Sequence, residues 1–138
     1  MQTDTAVAPP SKAALWTGRV LSALVILFLV FDASLKLVAP PIVPQTMEEL
    51  GFSGSIALAR GLGVMTLACT ALYAAPKTSL LGAILLTGLF GGAMATHLRV
   101  GTPVFSHLLF GFYLGLMTWG GLYLRDPWLR SILPWRRR

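Results

Sequence analysis

The sequence is poor in charged residues, and especially in acidic ones. Only 12% of its 138 residues are Asp, Glu, Lys or Arg, and only 5 of these are acidic. A soluble domain normally has roughly a quarter of its residues charged. Because 55% of the residues are hydrophobic, the chain lacks the polar surface that a globule in water needs. It is also too apolar for a disordered chain. The composition therefore argues against both a water-soluble enzyme and a disordered protein.

The sequence also lacks the usual marks of a catalytic or metal centre. Its single cysteine, Cys69, lies inside an apolar run, so the chain forms no internal disulfide and carries no CxxC motif. It contains no glycine-rich phosphate loop, no hydrolase nucleophile elbow and no zinc signature. We therefore predict no metal site, and the sequence leaves open whether the chain is an enzyme.

Four long apolar runs account for most of the chain. A membrane-spanning helix takes about 20 largely apolar residues. The runs predict one all-α domain over residues 1–138, an integral membrane bundle of four transmembrane helices. The uncharged core of the first run is short, as in a signal peptide, but the run continues beyond Asp32 without a suitable cleavage site, which favours a retained helix. The predicted segments are spans at 15–38, 56–75, 78–97 and 104–124, a disordered tail at 1–14 and a basic interfacial tail at 125–138.

Two short helices are predicted outside the four spans. In the first loop, the residues from Thr46 to Glu49 form a capping-box pattern and Gly51 is a typical helix stop. We expect a short helix there, lying on the membrane surface. After the fourth span, Asp126 and Pro127 predict an N-cap followed by the first residue of an interfacial helix.

The net charge of +6 predicts an orientation in the membrane and no nucleic-acid partner. The side that holds both termini carries eight Lys and Arg residues, and the other side carries three. Because positive residues concentrate in cytoplasmic loops, both termini are predicted to be cytoplasmic. The C-terminal tail combines indole rings with cations, which suits anionic lipid headgroups. Its predicted lipid-interface residues are Trp128, Trp135, Arg136, Arg137 and Arg138.

Six ionisable residues fall at span ends on the predicted outer side. Charges at such positions are functional candidates by default. Asp32 and Lys36 are four residues apart and can pair, and Asp32 is also the natural partner of Arg60. The alternatives are a structural ion pair and cations that reach out to the interface. The candidate polar site consists of Asp32, Lys36, Arg60, His97, Arg99 and His107.

The two histidines of this set are predicted to lie close to one short turn. Imidazole can hydrogen-bond a carbonyl group or relay protons near neutral pH. A structural role at a helix end is the alternative for each of them. Haem ligation by His97 and His107 is disfavoured, because paired ligands of that kind lie well inside a bundle.

Two glycine motifs are predicted to set the packing of the third and fourth spans. Small residues let helix backbones approach one another where lipid supplies no hydrophobic drive. The motifs are Gly88-xxx-Gly92 and Gly111-xxx-Gly115. The alternative is that the glycines leave open a groove for a flat ligand.

Several stretches resemble the DoxX-like family. They include the segment from Thr87 to Gly101, the segment from Trp119 to Asp126 and the start of the first span at Gly18. The resemblance covers roughly residues 18–134, and it departs at Gly111, where we expect proline in many relatives. It implies a small four-helix protein of the bacterial inner membrane. Wider relatives include a membrane subunit of a thiosulfate:quinone oxidoreductase, which suggests a link to redox chemistry or quinone.

Three functions are compatible with these features. The first is a redox-linked membrane subunit that binds a quinone-like or other lipid-soluble small molecule, with a membrane or redox protein as a candidate partner. The second is a non-enzymatic scaffold or assembly factor. The third is a small transporter, which four spans could form only as an oligomer. Quinone is the candidate cofactor, and the lipid bilayer is the predicted partner in all three cases.

Overall fold

The chain folds into helices joined by short connections, as seen in a computed structural model that describes residues 10–133. These residues contain no β-strand, which confirms the all-α prediction. A π-helical segment, Val104–Leu108, precedes the fifth α-helix. The α-helices are α1 Lys12–Val38, α2 Ile42–Glu49, α3 Ile56–Ala74, α4 Ser79–Val100, α5 Phe110–Arg125 and α6 Pro127–Ile132.

Four of the helices form a closed ring. Helix α1 packs on α3, α3 on α4, α4 on α5, and α5 back on α1. Helix α2 lies against α3, and α6 lies against α5. We name the end of the ring that holds the α3–α4 turn and Arg125 the lower end, and the end that holds Val38 and Gly101 the upper end. The buried core runs along the ring axis and includes Val25, Leu29, Cys69, Tyr73, Ala83, Leu86, Phe90, Leu114 and Leu122.

Within residues 10–133, three helices, α1, α3 and α4, are long and apolar enough to cross a membrane. Helix α5 has only 16 residues, but it follows the π-helical segment after one intervening residue, and together they occupy the predicted fourth span. Large apolar side chains such as Leu27, Phe31 and Val64 are exposed on the outer face of the ring. In water such a surface would be costly, whereas in lipid it is the expected one. The crossing by α5 stays a prediction.

The first loop contains a helix, but the capping-box prediction for it was wrong. Helix α2 begins at Ile42, directly after two prolines, so Thr46 lies within it and donates its hydroxyl to the carbonyl of Ile42 at 2.8 Å. Proline presets a helical φ and needs no N–H partner in the first turn, and this explains the earlier start. The predicted stop at Gly51 is confirmed, since this residue has φ +82°, a value that favours glycine.

The start of α6 is as predicted. The carboxylate of Asp126 accepts a hydrogen bond of 2.9 Å from the amide of Trp128, and Pro127 occupies the first helical position. The guanidinium of Arg130 turns back and donates to the carbonyls of Tyr123 and Leu124 at the end of α5. Helix α6 is therefore fixed to the end of α5 by its own cation.

The glycines that allow close helix contact are mostly not the predicted ones. A Cβ at Gly88 or Gly92 would meet nothing within 4 Å, so within a single chain the Gly88-xxx-Gly92 motif brings no helices together. Gly111 does lie against α4, with a built Cβ 3.0 Å from the backbone carbonyl of Phe90, whereas a Cβ at Gly115 would lie 4.0 Å from the Phe90 ring. The tight contacts elsewhere are made by Gly18, Gly63, Gly82 and Gly121.

Candidate functional site

The predicted ion pair forms at the upper end. Lys36 donates to the carboxylate of Asp32 one helical turn away on α1. Both side chains are about one third exposed, at 32% for Lys36 and 34% for Asp32. Partly exposed pairs of this kind contribute only about 0–1 kcal/mol. This is an ion pair between side chains four residues apart on the same helix.

Arg60 does not pair with Asp32, and that expectation was wrong. Its Nε donates to the carbonyl of Leu37 at 3.0 Å, across from α3 to the end of α1. The last carbonyls of a helix have no partner inside the helix, so they attract a donor, whereas Asp32 is already bonded to Lys36. Arg60 thus caps α1 and ties it to α3.

Arg99 points away from the ion pair. A Cβ built on Gly51 would lie 2.7 Å from a terminal nitrogen of Arg99, so the guanidinium rests against the loop after α2. The six candidate residues therefore share one end of the bundle without forming a single cluster.

The two histidines do meet. The ring centroids of His97 and His107 are 5.9 Å apart, and the rings stand edge to face at 62°. The Nδ1 atom of His97 pairs with the hydroxyl of Thr102 at 3.1 Å, and that of His107 pairs with the hydroxyl of Ser106 at 2.7 Å. Within residues 10–133, neither Nε2 atom has a hydrogen-bond partner. The pair therefore offers two unengaged ring nitrogens at the upper end.

The hydrogen bonds leave both ring tautomers open. The Ser106 hydroxyl makes no hydrogen bond to another described residue, so it can donate to Nδ1 of His107 or accept from it. A neutral imidazole carries one ring proton, so Nε2 of His107 can present either a donor or an acceptor. The Thr102 hydroxyl has two acceptors, Nδ1 and the carbonyl of His97, so His97 can present either a donor or an acceptor.

An open groove of about 310 Å³ lies between α4 and α5. Its lining is nearly all apolar, with aromatic side chains and three glycines. At its lower part, Nε1 of Trp119 donates to the hydroxyl of Thr87 at 2.7 Å, and this hydroxyl donates to the carbonyl of Ala83 at 2.7 Å. The indole ring is thereby held in place. The groove is lined by Thr87, Phe90, Gly91, Met94, Gly111, Phe112, Gly115, Leu116 and Trp119.

The histidine pair stands above this groove. On α4, His97 follows Met94 by three residues, and residues three and four apart are neighbours on a helix. On the other side, His107 precedes Gly111 by four residues. The π-helical segment supplies bonds from residue i to i−5, such as Leu108 to Pro103 at 3.2 Å, and such segments are frequent at functional sites. The sequence pattern indicated the histidines, Gly111 and Gly115, but not the aromatic side chains that line the groove.

The polar groups that the sequence reasoning missed lie at the lower end. Ser22, Tyr73, Thr118 and Arg125 are joined by hydrogen bonds across α1, α3 and α5. Each was available as a polar residue near or inside an apolar run, but Arg125 counted only as an orientation charge. Their contacts depend on how three helices are rotated about their axes.

Part of the predicted lipid interface can be located. Trp128 is 58% exposed, while its neighbour Leu129 is buried against the bundle. Trp135, Arg136, Arg137 and Arg138 lie outside the described residues. Among residues 10–133, no group of three His, Cys, Asp or Glu side chains is arranged to hold a metal ion.

Comparison with known proteins identifies one family. The sequence model of the DoxX-like family matches residues 20–121, about three quarters of the chain. This match confirms the resemblance seen in the sequence. No curated protein and no solved structure matches the chain.

Proposed function

Because the chain belongs to the DoxX-like family, we propose that it is a redox-linked membrane subunit that binds a quinone-like, lipid-soluble molecule in the groove between α4 and α5. The observation that carries the proposal is the groove itself. It is open along the ring surface that would face lipid, so a molecule dissolved in the bilayer can enter it from the side.

The shape and lining of the groove favour a flat ring. Three glycines, Gly91, Gly111 and Gly115, deepen the groove because they have no side chain. Phe90 and Trp119 supply aromatic surfaces. Aromatic side chains favour stacked or edge-on contacts with another ring. The volume of about 310 Å³ is at the small end of ligand pockets, which start at roughly 300 Å³. From Thr87 to Met94, α4 rises about 10 Å, which accommodates a ring and the start of its apolar tail.

The histidine pair supplies the polar end of the site. A quinone carbonyl needs a hydrogen-bond donor, and Nε2 of His107 supplies one in the tautomer whose Nδ1 accepts from Ser106. His97 stands 5.9 Å away, ring centre to ring centre, and can relay a proton near neutral pH. Arg60 and Arg99 receive no role at the ligand, since the Leu37 carbonyl and the loop at Gly51 hold their guanidinium groups.

The test compares two glycines on α4. Gly91 lines the groove and Gly92 does not, while a Cβ at either position meets nothing within 4 Å. Gly91→Leu should therefore fill the groove without disturbing the bundle, and Gly92→Leu is the matched control. The readouts are quinone in lipid extracts of the purified protein by mass spectrometry, and titration with a short-tailed quinone. We expect Gly91→Leu to lose binding and Gly92→Leu to keep it.

The outcomes separate this proposal from its alternatives. If the wild-type protein carries no quinone and binds none by titration, the proposal fails, and a non-enzymatic scaffold becomes the better hypothesis. Equal binding by Gly91→Leu and Gly92→Leu would place the ligand outside the groove.

We also propose that the protein resides in a bacterial inner membrane with both termini in the cytoplasm. The excess of positive residues on the lower side supports this orientation. The sequence has one cysteine, Cys69, so a Cys69→Ala background leaves no native thiol to label. In that background, Lys77→Cys in the α3–α4 turn should react with a membrane-impermeant maleimide only in opened cells. Glu49→Cys in α2 should react in intact cells, and the reverse pattern would invert the orientation.

A further inference from the structure

Arg125, at the lower end of the bundle, is a half-buried cation without a carboxylate partner. Within residues 10–133, the only salt bridge joins Lys36 and Asp32 at the opposite end. The nearest acid in sequence, Asp126, uses its carboxylate to cap α6. A partly buried cation with no acidic partner can still bind an anion.

The guanidinium is held in a defined position. Its Nε donates to the hydroxyl of Ser22 at 3.0 Å, and its carbon lies 5.3 Å from the centre of the Tyr73 ring. One terminal nitrogen stands 3.5 Å from the carbonyl of Tyr73. The other makes no hydrogen bond to a described residue. Ring contact and the Nε bond together fix the plane of the guanidinium.

The hydrogen bonds behind Arg125 run in one direction. Tyr73 is fully buried, and its hydroxyl donates to the carbonyl of Thr118 at 2.8 Å. Since a tyrosine hydroxyl has one hydrogen, the 2.9 Å contact between Ser22 and Tyr73 must be donated by Ser22. The Ser22 oxygen is then free to accept from Arg125. This series of hydrogen bonds holds Arg125 through Nε and one terminal nitrogen, and it leaves the other terminal nitrogen without a partner among the described residues.

The surroundings suit a phosphate group. Arg19 lies three residues before Ser22 on α1 and is exposed. Arginine binds phosphate through two parallel N–H groups in its plane, which a point charge cannot do.

We propose that Arg125, positioned by Ser22 and Tyr73, binds a phosphate group at the lower end of the bundle, with an anionic phospholipid of the adjacent leaflet as its source. Exposed apolar side chains of α1, such as Val20 and Leu24, border the bilayer that supplies the acyl chains. This site is separate from the α4–α5 groove and does not depend on quinone binding.

The experiment measures lipid binding by the full-length, delipidated protein. The probes are dioleoyl-phosphatidylglycerol, dioleoyl-phosphatidylcholine and inorganic phosphate, each followed by thermal shift and by native mass spectrometry. Arg125→Gln removes the cation, whereas Arg125→Lys keeps the charge and removes the paired geometry. Ser22→Ala keeps Arg125 but removes its positioning partner. Lys77→Gln is the control, because it removes one exposed charge from the same end.

We expect Arg125→Gln and Arg125→Lys to weaken phosphatidylglycerol binding by about tenfold, the effect of one charge-assisted hydrogen bond. Ser22→Ala should weaken it several-fold with net charge unchanged, while Lys77→Gln should retain it. Stabilisation by inorganic phosphate as strong as that by phosphatidylglycerol would support the phosphate site and exclude the lipid as its source. Equal losses in Arg125→Gln and Lys77→Gln, with Arg125→Lys unaffected, would show diffuse charge attraction and overturn the proposal. If Arg125→Gln does not fold, Arg125→Lys and Ser22→Ala decide the question.

Discussion

Replacing Gly82 with alanine should separate α3 from α4, the two helices that meet at the lower turn. A Cβ at Gly82 would overlap the amide nitrogen of Tyr73 and lie 2.5 Å from the Cα of Tyr73. Non-bonded carbon contacts prefer about 3.5–4.0 Å, so the helices must move apart by more than roughly 1 Å. The obstructing atoms are backbone and cannot rotate away. Overpacking of this kind costs about 1–3 kcal/mol, and we expect the upper part of that range.

The matched control for this change is Gly88→Ala on the same helix. A Cβ at Gly88 meets nothing within 4 Å. Both substitutions gain helix propensity, about 1 kcal/mol for glycine to alanine, so this term cancels in the comparison. The difference in unfolding free energy between the two variants then measures the α3–α4 contact alone. The assay is unfolding in mixed detergent micelles, followed by circular dichroism.

We expect Gly88→Ala to be as stable as the wild type or slightly more stable, and Gly82→Ala to be less stable than Gly88→Ala by about 2–3 kcal/mol. A second readout is the Tyr73 hydroxyl, which should lose its bond to Thr118 when α3 shifts. Equal stabilities for the two variants would refute the reasoning, since the tight approach at Gly82 would then contribute nothing.

Two further substitutions test the polar groups. Tyr73→Phe removes the fully buried hydroxyl that joins α3 to α5 and leaves Ser22 without its acceptor, so unfolding should become easier by about 1–3 kcal/mol, measured by the same micelle assay. Asp32→Asn breaks only a partly exposed pair with Lys36 and should change stability by less than about 1 kcal/mol; a larger loss in that assay would show that the pair is a structural bridge.

The helices could be predicted from the sequence because length and hydropathy determine them directly. Apolar runs of about 20 residues gave the positions of α1, α3 and α4, and alternating direction placed His97 and His107 at one end. Side-chain chemistry also sufficed where the contact is local. The Asp126 cap is two residues from its donor, and Asp32 and Lys36 are one turn apart. These features need no knowledge of which helix faces which.

Contacts between helices were harder to predict, because helices that are apolar all round carry little information about their rotation. The motif at Gly88 and Gly92 satisfies the spacing rule, yet it faces outward, while Gly82 packs tightly with no motif around it. Arg60 was assigned to the nearest acid, but a helix end with unpaired carbonyls lay closer. The positions of charged residues in the sequence do not show which backbone carbonyls lack a hydrogen-bond partner.

The distribution of tight contacts explains why the groove can exist at all. Gly18 and Gly121 allow α1 and α5 to pack closely. Gly63 does the same for α1 and α3, and Gly82 for α3 and α4. The fourth side, between α4 and α5, has its close approach at Gly111, near the histidines, and opens below that point. Because three sides of the ring hold the bundle together, the fourth can stay unfilled at a small cost in stability. Filling the groove should therefore abolish binding while the protein remains folded, whereas substitutions on the closed sides should impair folding first.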